Sequence, residues 1–197
     1  MSAQLIHPFT FGDRTQSDLL GGKGANLAEM VRMGLPVPPG FTITTQACRE
    51  YLASGKMPSG LISEINNSLN DLEKSLDKKF GDPTKPLLVS VRSGAKFSMP
   101  GMMETVLNVG MTPEVAEGLA KISGNEKFAW DSYRRFIDMY GRIVCDVPPA
   151  EFHQIENRIL ESHSVKSIQE LDVAGLQALA AAFIKEIEIV TGKPFPT

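Results

Sequence analysis

Apolar residues follow two different patterns along this chain, and the first half contains both of them. Short alternating or continuous apolar runs predict strands over residues 6–11, 41–44, 87–91 and 104–109. Apolar residues at helical spacing predict helices over residues 22–33, 45–52 and 59–79. The run Leu87–Val91 is almost continuously apolar, which is typical of a buried strand. The first half is therefore predicted to mix strands and helices.

The second half shows helical spacing almost without interruption. Helices are predicted over residues 114–122, 127–144, 150–162 and 173–191. Thr112 and Pro113 are typical of a helix start, and the composition changes after Gly110. The predicted fold class is α+β, with an α+β domain over residues 1–110 and a helical domain over residues 111–197.

The composition is that of an ordinary globular protein. The 197 residues are 42% hydrophobic and 22% charged, and their net charge of −3 gives no basic field, so we expect no nucleic-acid partner. Cys48 and Cys145 are the two cysteines, which argues against a disulfide scaffold or a structural zinc site and fits a reducing cytosol. No secretory signal or membrane-spanning run is found, so a cytoplasmic protein without a membrane partner is expected.

A glycine-rich run, Leu20–Met30, places Lys23 where a helix is predicted to open. Free backbone N–H groups and the helix dipole favour an anion at such a position, and the lysine adds a full charge. Ser17 and Gly24 stand where the Walker motif needs a glycine and a hydroxyl residue, and Leu27 stands where the dinucleotide motif needs a third glycine. The run predicts a phosphate site of another class, although it is equally typical of a simple turn at a helix start.

Arg92 follows the predicted strand Leu87–Val91, and a glycine-containing loop follows Arg92. Ligands commonly bind at such strand ends in open α/β sheets, and a guanidinium matches phosphate oxygens in a two-pronged geometry. A surface arginine in a plain hairpin loop fits the pattern equally well. Arg134 and Arg135 stand three and four residues after Asp131, where a solvated, salt-bridged helix face is the better interpretation.

None of the three histidines stands in a pattern that predicts chemistry. His7, His153 and His163 are isolated in sequence, without the spacing of a nucleophilic or metal site. Each is predicted to be a surface histidine or one whose hydrogen bonds are satisfied within the fold. No catalytic residue and no metal ligand is predicted in this chain.

Several long runs, in the same order, resemble the start of the pyruvate, phosphate dikinase family. They are Leu19–Met30, Gly34–Thr42, Leu87–Ala95, Ser98–Asn108, Phe128–Ile137 and Thr191–Pro196. The resemblance covers nearly the whole chain. It implies the first subdomain of an ATP-grasp fold, in which two α+β subdomains close on ATP, followed by a helical subdomain. The implied reaction converts ATP, phosphate and pyruvate into AMP, pyrophosphate and phosphoenolpyruvate, with Mg²⁺ neutralising the nucleotide phosphates.

The resemblance also implies roles for individual residues. By matching position, Lys23 and Arg92 resemble contacts to the ATP triphosphate. The residues that resemble the loop covering the triphosphate are Ser93, Gly101, Met103 and Thr105. Arg135 matches an arginine near the nucleotide cleft.

The family's second grasp subdomain, its Mg²⁺-binding carboxylates, its phosphocarrier histidine and its pyruvate barrel have no match in this sequence. We therefore expect a part of the enzyme that is inactive alone, with ATP as its ligand, phosphate and pyruvate as reactants of the full enzyme, and a possible homodimer. Two alternatives stay open. One is a part of the related water dikinase, phosphoenolpyruvate synthase, and the other is a non-catalytic interaction module of the same fold.

Overall fold

A computed structural model describes residues 4–94 and 105–196. It divides into two compact units. Of the described residues, the first unit contains 4–78 and 93–94, and the second contains 79–92 and 105–196. Both units combine helices with short strand pairs, which confirms the predicted α+β class.

The first unit is built on a short antiparallel strand pair and three helices. The strands are β1 (Ile6–Pro8) and β2 (Phe41–Ile43), and the helices are α1 (Ser17–Arg32), α2 (Thr45–Ser54) and α3 (Leu61–Leu76). Thr44 caps α2, its hydroxyl accepting a hydrogen bond from the Ala47 amide. The Glu64 carboxylate on α3 accepts the amides of Leu5 and Ile6 at 2.9 and 3.1 Å. A charged side chain therefore ties the first strand to the third helix.

The second unit contains two further strand pairs and four helices. The strands are β3 (Lys79–Phe80), β4 (Pro86–Leu87), β5 (Val89–Arg92) and β6 (Thr105–Val109), and the helices are α4 (Pro113–Ser123), α5 (Glu126–Ile143), α6 (Pro149–Ser162) and α7 (Val173–Thr191). Strand β3 pairs parallel with β4, and β5 pairs antiparallel with β6. The helices follow the predicted bounds within two residues.

The core of the second unit lies among its four helices. Ile137 on α5 and the α7 residues Leu176, Leu179 and Phe183 are almost fully buried, and Phe183 stacks on Phe152 of α6 with ring centroids 4.3 Å apart. Strand β6 adds Val106 to the same core. The apolar stripes read from the sequence are therefore the surfaces that these helices bury.

The expected burial of the run Leu87–Val91 is wrong for most of its residues. The run Leu87–Val91 is divided between β4 and β5, and only Leu87 is buried, whereas Val91 is 55% exposed. A strand is buried only where neighbouring elements cover both of its faces, so an apolar run does not by itself show that a strand is buried. On α3, Leu61 and Leu72 are buried but Ile62 is 52% exposed, because the small first-unit core covers only some of the apolar residues of this helix.

Strands β3–β6 cluster with the helices that follow them in the chain. The reason is visible in β6, whose Val106 packs into the helical core. The sequence places these strands in the preceding domain, and that domain boundary after residue 110 stays a prediction.

Candidate functional site

The glycine-rich run lies within α1 rather than at its beginning. The helix begins at Ser17, so the predicted start at Gly22 is wrong for the element as a whole. Gly21, however, has φ 69° and ψ 166°, a conformation that essentially only glycine adopts. A second helical segment therefore begins at Gly22, with Lys23 in its first turn. The first backbone N–H groups of such a segment have no carbonyl acceptor within the segment itself.

Close backbone packing holds this turn in place. A methyl group added at Gly24 would lie 2.8 Å from Cγ2 of Thr42 on β2, so only glycine fits there without displacing the strand side chain. Gly21 approaches the backbone of Gly94, since a Cβ built on it would lie 3.7 Å from the Gly94 carbonyl carbon. Ala25 and Ala28, each four residues after one of these glycines, are buried on the same face of the helix. Gly94 and the glycine-rich turn are therefore neighbours in the first unit.

Lys23 is half-buried and has no side-chain hydrogen bond or ion pair within residues 4–94 and 105–196. The carboxylate one and a half turns later, Glu29, is already engaged. It binds the Arg32 guanidinium, with Oε1 2.7 Å from Nη2, and accepts the Arg14 amide at 3.4 Å. These hydrogen bonds lower the pKa of Glu29. No described side chain therefore compensates the positive charge of Lys23, and this charge is available to a ligand.

Arg92 lies in the second unit, at the end of β5 rather than after the strand. It is opposite Thr105 in the β5–β6 register, so the structure brings two of the predicted site residues together. The side chains of directly paired residues lie on the same face of a strand pair. Arg92 is exposed and has no side-chain partner in the described part of the chain.

A bulge in β6 sets which face of the strand pair carries these residues. Val89 pairs with Val109 but Val91 pairs with Val106, so β6 contains one extra residue. Asn108 in this bulge has φ 59°, in the left-handed region. The extra residue lets both Val106 and Val109 pack against the helical core. Thr105, next to the buried Val106, then lies on the side of the strand away from that core.

The predicted ion pair on α5 has a third member. Asp131 Oδ2 lies 2.8 Å from Arg135 Nε, as the spacing predicts, and Asp131 Oδ1 accepts Arg134 Nε at 2.9 Å. The prediction of a solvated face is wrong for Arg134, whose side chain is only 10% exposed, whereas that of Arg135 is 62% exposed. The sequence did contain a signal, because Trp130, Arg134 and Ile137 follow the spacing of the buried stripe.

Arg135 and Asp131 line a cavity of about 220 Å³ on the second unit. Its other walls include the ring of Phe128 and the side chain of Lys127, whose Nζ donates to the Gln169 carbonyl at 2.6 Å. A cavity with an aromatic wall and cationic groups can accept a ligand that has both apolar and anionic parts.

Of the other predicted site residues, Ser93 is exposed next to Gly94, and Gly101 and Met103 lie outside the described residues. His7 is buried and stacks on Phe11 with ring centroids 3.9 Å apart, so it is packed within the fold and is not a surface histidine. Burial lowers the pKa of His7 despite the nearby Glu64 carboxylate. Within the described ranges, no group of three or more histidine, cysteine or acidic side chains is placed to hold a metal ion.

The helices in the described ranges are all too short or too polar to cross a membrane.

The chain matches known proteins over nearly all of its length. The family described as "Pyruvate phosphate dikinase, AMP/ATP-binding domain" matches residues 17–62, which include Lys23. Pyruvate, phosphate dikinase of Entamoeba histolytica is 47% identical over 195 residues, covering 98% of this chain and 22% of the relative. The enzyme of Clostridium symbiosum is 47% identical over 197 residues, with the same coverage.

A plant relative, chloroplastic pyruvate, phosphate dikinase 1 of Zea mays, is 48% identical over 187 residues, or 94% of this chain and 20% of the relative. The chain therefore spans about a fifth of the length of the relatives it matches. The comparisons confirm the resemblance that the sequence motifs indicate.

Proposed function

We propose that this chain, whose resemblance to pyruvate, phosphate dikinase extends over nearly all its residues, supplies part of the ATP-binding site of such an enzyme. The proposed reaction converts ATP, phosphate and pyruvate into AMP, pyrophosphate and phosphoenolpyruvate. The observation that carries the proposal concerns Lys23 and Arg92. Neither side chain has a hydrogen-bond or ion-pair partner in the described ranges, so no acidic side chain there compensates its positive charge. Both are therefore free to bind phosphate oxygens.

Each proposed contact uses a different property of its residue. Lys23 adds a compact charge to the backbone N–H groups of the helical segment that begins after Gly21. Arg92 presents a planar guanidinium that can bind two phosphate oxygens at once, with the Thr105 hydroxyl on the same strand face. In phosphoryl transfer the protein contributes mainly positioning and charge stabilisation. We assign this role to Lys23, Arg92 and Arg135. Ser93, Gly101, Met103 and Thr105 are proposed to belong to the loop that covers the triphosphate.

The remaining parts of the proposal are supported by the resemblance. They are the ATP-grasp fold, Mg²⁺ bound with the nucleotide, phosphate and pyruvate as reactants, a cytoplasmic location and a homodimer. When bound, Mg²⁺ would neutralise the triphosphate. We assign no Mg²⁺ ligand to the described residues, since they gather no suitable acidic cluster. The reported relatives are named for the phosphate-using reaction, which favours it over the water dikinase.

Calorimetric titration of the chain with Mg²⁺-ATP tests the site. Lys23→Ala and Arg92→Ala should each weaken binding about tenfold or more, since a hydrogen bond to a charged group is worth about 1.5–3 kcal/mol. Arg49→Ala on α2 and Arg158→Ala on α6 remove exposed positive charges from the same two units and should leave the affinity within twofold. Unchanged affinity in both Lys23→Ala and Arg92→Ala would show that these residues do not contact the nucleotide.

A further inference from the structure

The two carboxylate oxygens of Asp131 bind two different arginines. Oδ1 binds the guanidinium of Arg134, lying 2.9 Å from Nε and 2.8 Å from Nη2. Oδ2 lies 2.8 Å from Nε of Arg135. One carboxylate therefore holds two guanidinium groups, one buried and one largely exposed.

The charges of this group do not cancel. Asp131 supplies one negative charge against two positive ones, and Arg134 is nine-tenths buried, so the carboxylate must compensate it first. Leaving Arg134 unpaired in the interior would cost far more than leaving Arg135 unpaired in water. The positive charge of Arg135 is therefore only partly compensated by Asp131, and Lys127 adds a second positive charge at the same cavity. The cavity wall is cationic and suits an anionic ligand.

The nearest contact between Asp131 and Arg135 is at one edge of the guanidinium. Asp131 approaches Nε, and no described residue other than Asp131 pairs with the Arg135 guanidinium. The Nη groups are the pair of donors at the far end of the side chain, and they stay open to a ligand. The ion pair with Asp131 reduces the rotamer freedom that an exposed arginine would lose on binding.

We propose that Asp131 is a positioning residue that holds Arg135, by its Nε edge, ready to bind the phosphates of ATP through its Nη groups. Buried Arg134 in turn fixes Asp131 in the orientation that this requires. The inference rests on the proposed function, since it takes ATP as the anion that Arg135 binds. It adds Asp131 and Arg134 to the site, two residues that do not touch the nucleotide.

A double-mutant cycle in Mg²⁺-ATP titrations of the full chain tests the inference. Asp131→Asn should weaken ATP binding about three- to tenfold, and Arg135→Ala about tenfold or more. Because Asp131 acts through Arg135, Asp131→Asn should have no further effect in an Arg135→Ala background. A merely structural role for Asp131 would instead weaken binding equally in both backgrounds, and that result would overturn the inference.

The same helix provides a matched control. Asp138 lies about two helical turns after Asp131 and pairs with Arg142 at the same four-residue spacing. The Arg142 side chain is 40% exposed. Asp138→Asn should leave the ATP affinity unchanged. If it weakens binding as much as Asp131→Asn does, the effect belongs to helix stability rather than to Arg135.

Arg135→Lys covers the case in which Asp131→Asn does not fold. The side chain is largely exposed, so this variant is expected to fold, and lysine keeps the charge but lacks the Nε edge and the paired Nη donors. It should lose most of the affinity that Arg135→Ala loses, and wild-type affinity would overturn the inference. Failure of the wild-type chain to bind Mg²⁺-ATP at all would overturn the proposed function and this inference with it. Loss in Arg135→Ala without loss in folded Asp131→Asn would overturn the inference alone.

Discussion

The two compact units differ most in how they are held together. In the described residues, the second unit has one core cluster of eighteen buried apolar residues, whereas the first has clusters of four and three. Burial of apolar area is the main stabilising term in folding, so the second unit is expected to be stable through its core. The first unit depends more on hydrogen bonds, caps and close glycine contacts, such as the Glu64 carboxylate and Gly24.

The difference in packing between the two units also affects the proposed ATP contacts. The glycine-rich turn with Lys23 lies in the lightly packed unit, and the Asp131 group lies on a helix of the heavily packed one. Segments with few buried apolar contacts open locally at lower free energy than a core does. We therefore expect the Lys23 turn to adjust to a ligand and the Arg135 side chain to be held in advance.

Removing a core side chain from the second unit should have the largest effect. Phe183→Ala deletes a ring that is 1% exposed and stacked on Phe152, at an expected cost of about 3–5 kcal/mol in the free energy of unfolding. Urea unfolding followed by circular dichroism measures it. Ile189→Ala, at a 65% exposed position of the same helix, should change stability by less than about 0.5 kcal/mol. If Leu61→Ala in the small first-unit core costs as much as Phe183→Ala, the contrast between the units is wrong.

Overpacking one contact of the second unit should have the next largest effect. A methyl group added at Gly118 on α4 would lie 1.8 Å from the carbonyl oxygen of Pro83, a backbone atom that cannot rotate away. Gly118→Ala should therefore cost about 1–3 kcal/mol, seen as a lower Tm. Gly94→Ala is the control, since its methyl group would meet no atom of residues 4–94 and 105–196 within 4 Å. An unchanged Tm for Gly118→Ala would mean that the Pro83 turn is free to shift.

Removing the Glu64 carboxylate of the first unit should have a smaller effect on stability. Glu64→Ala leaves the amides of Leu5 and Ile6 without their acceptor and should cost about 1–2 kcal/mol. Hydrogen exchange should also show faster exchange of these two amides. Asp71→Ala removes an exposed acid from the same helix and should leave both quantities almost unchanged. Equal effects of the two substitutions would indicate that charge, rather than the two hydrogen bonds, matters.

The smallest expected effect is a dependence on pH. Burial lowers the pKa of His7, so the unfolded chain binds a proton more readily than the folded one. The His7 contribution to stability is complete above its ordinary pKa of about 6.5 and is lost as the pH falls through the lower, folded-state pKa. His7→Phe keeps a ring against Phe11 and should flatten the fall in stability between about pH 7 and pH 5. His153→Gln, at an exposed position, should leave that slope as it is.

Much of this protein follows from local sequence signals. Thr112 and Pro113 begin α4, Thr44 caps α2, and the four helices of the second half lie where apolar spacing predicts them. The Asp131–Arg135 pair follows from helical geometry alone. These features depend on residues within one or two turns of each other, so a single stretch of chain determines them. The resemblance of the motifs likewise depends on the sequence alone.

Other features were decided by packing between distant parts of the chain. The break at Gly21 is a long-range outcome, since Gly94 lies against it and Thr42 against Gly24. The bulge at Asn108 depends on fitting β6 to the helical core. The burial of Arg134 and the exposure of Val91 depend on which faces find a neighbouring element to cover them. Local sequence determines what each segment can form, but which atoms lose contact with water depends on the whole unit, and only the tertiary structure decides that.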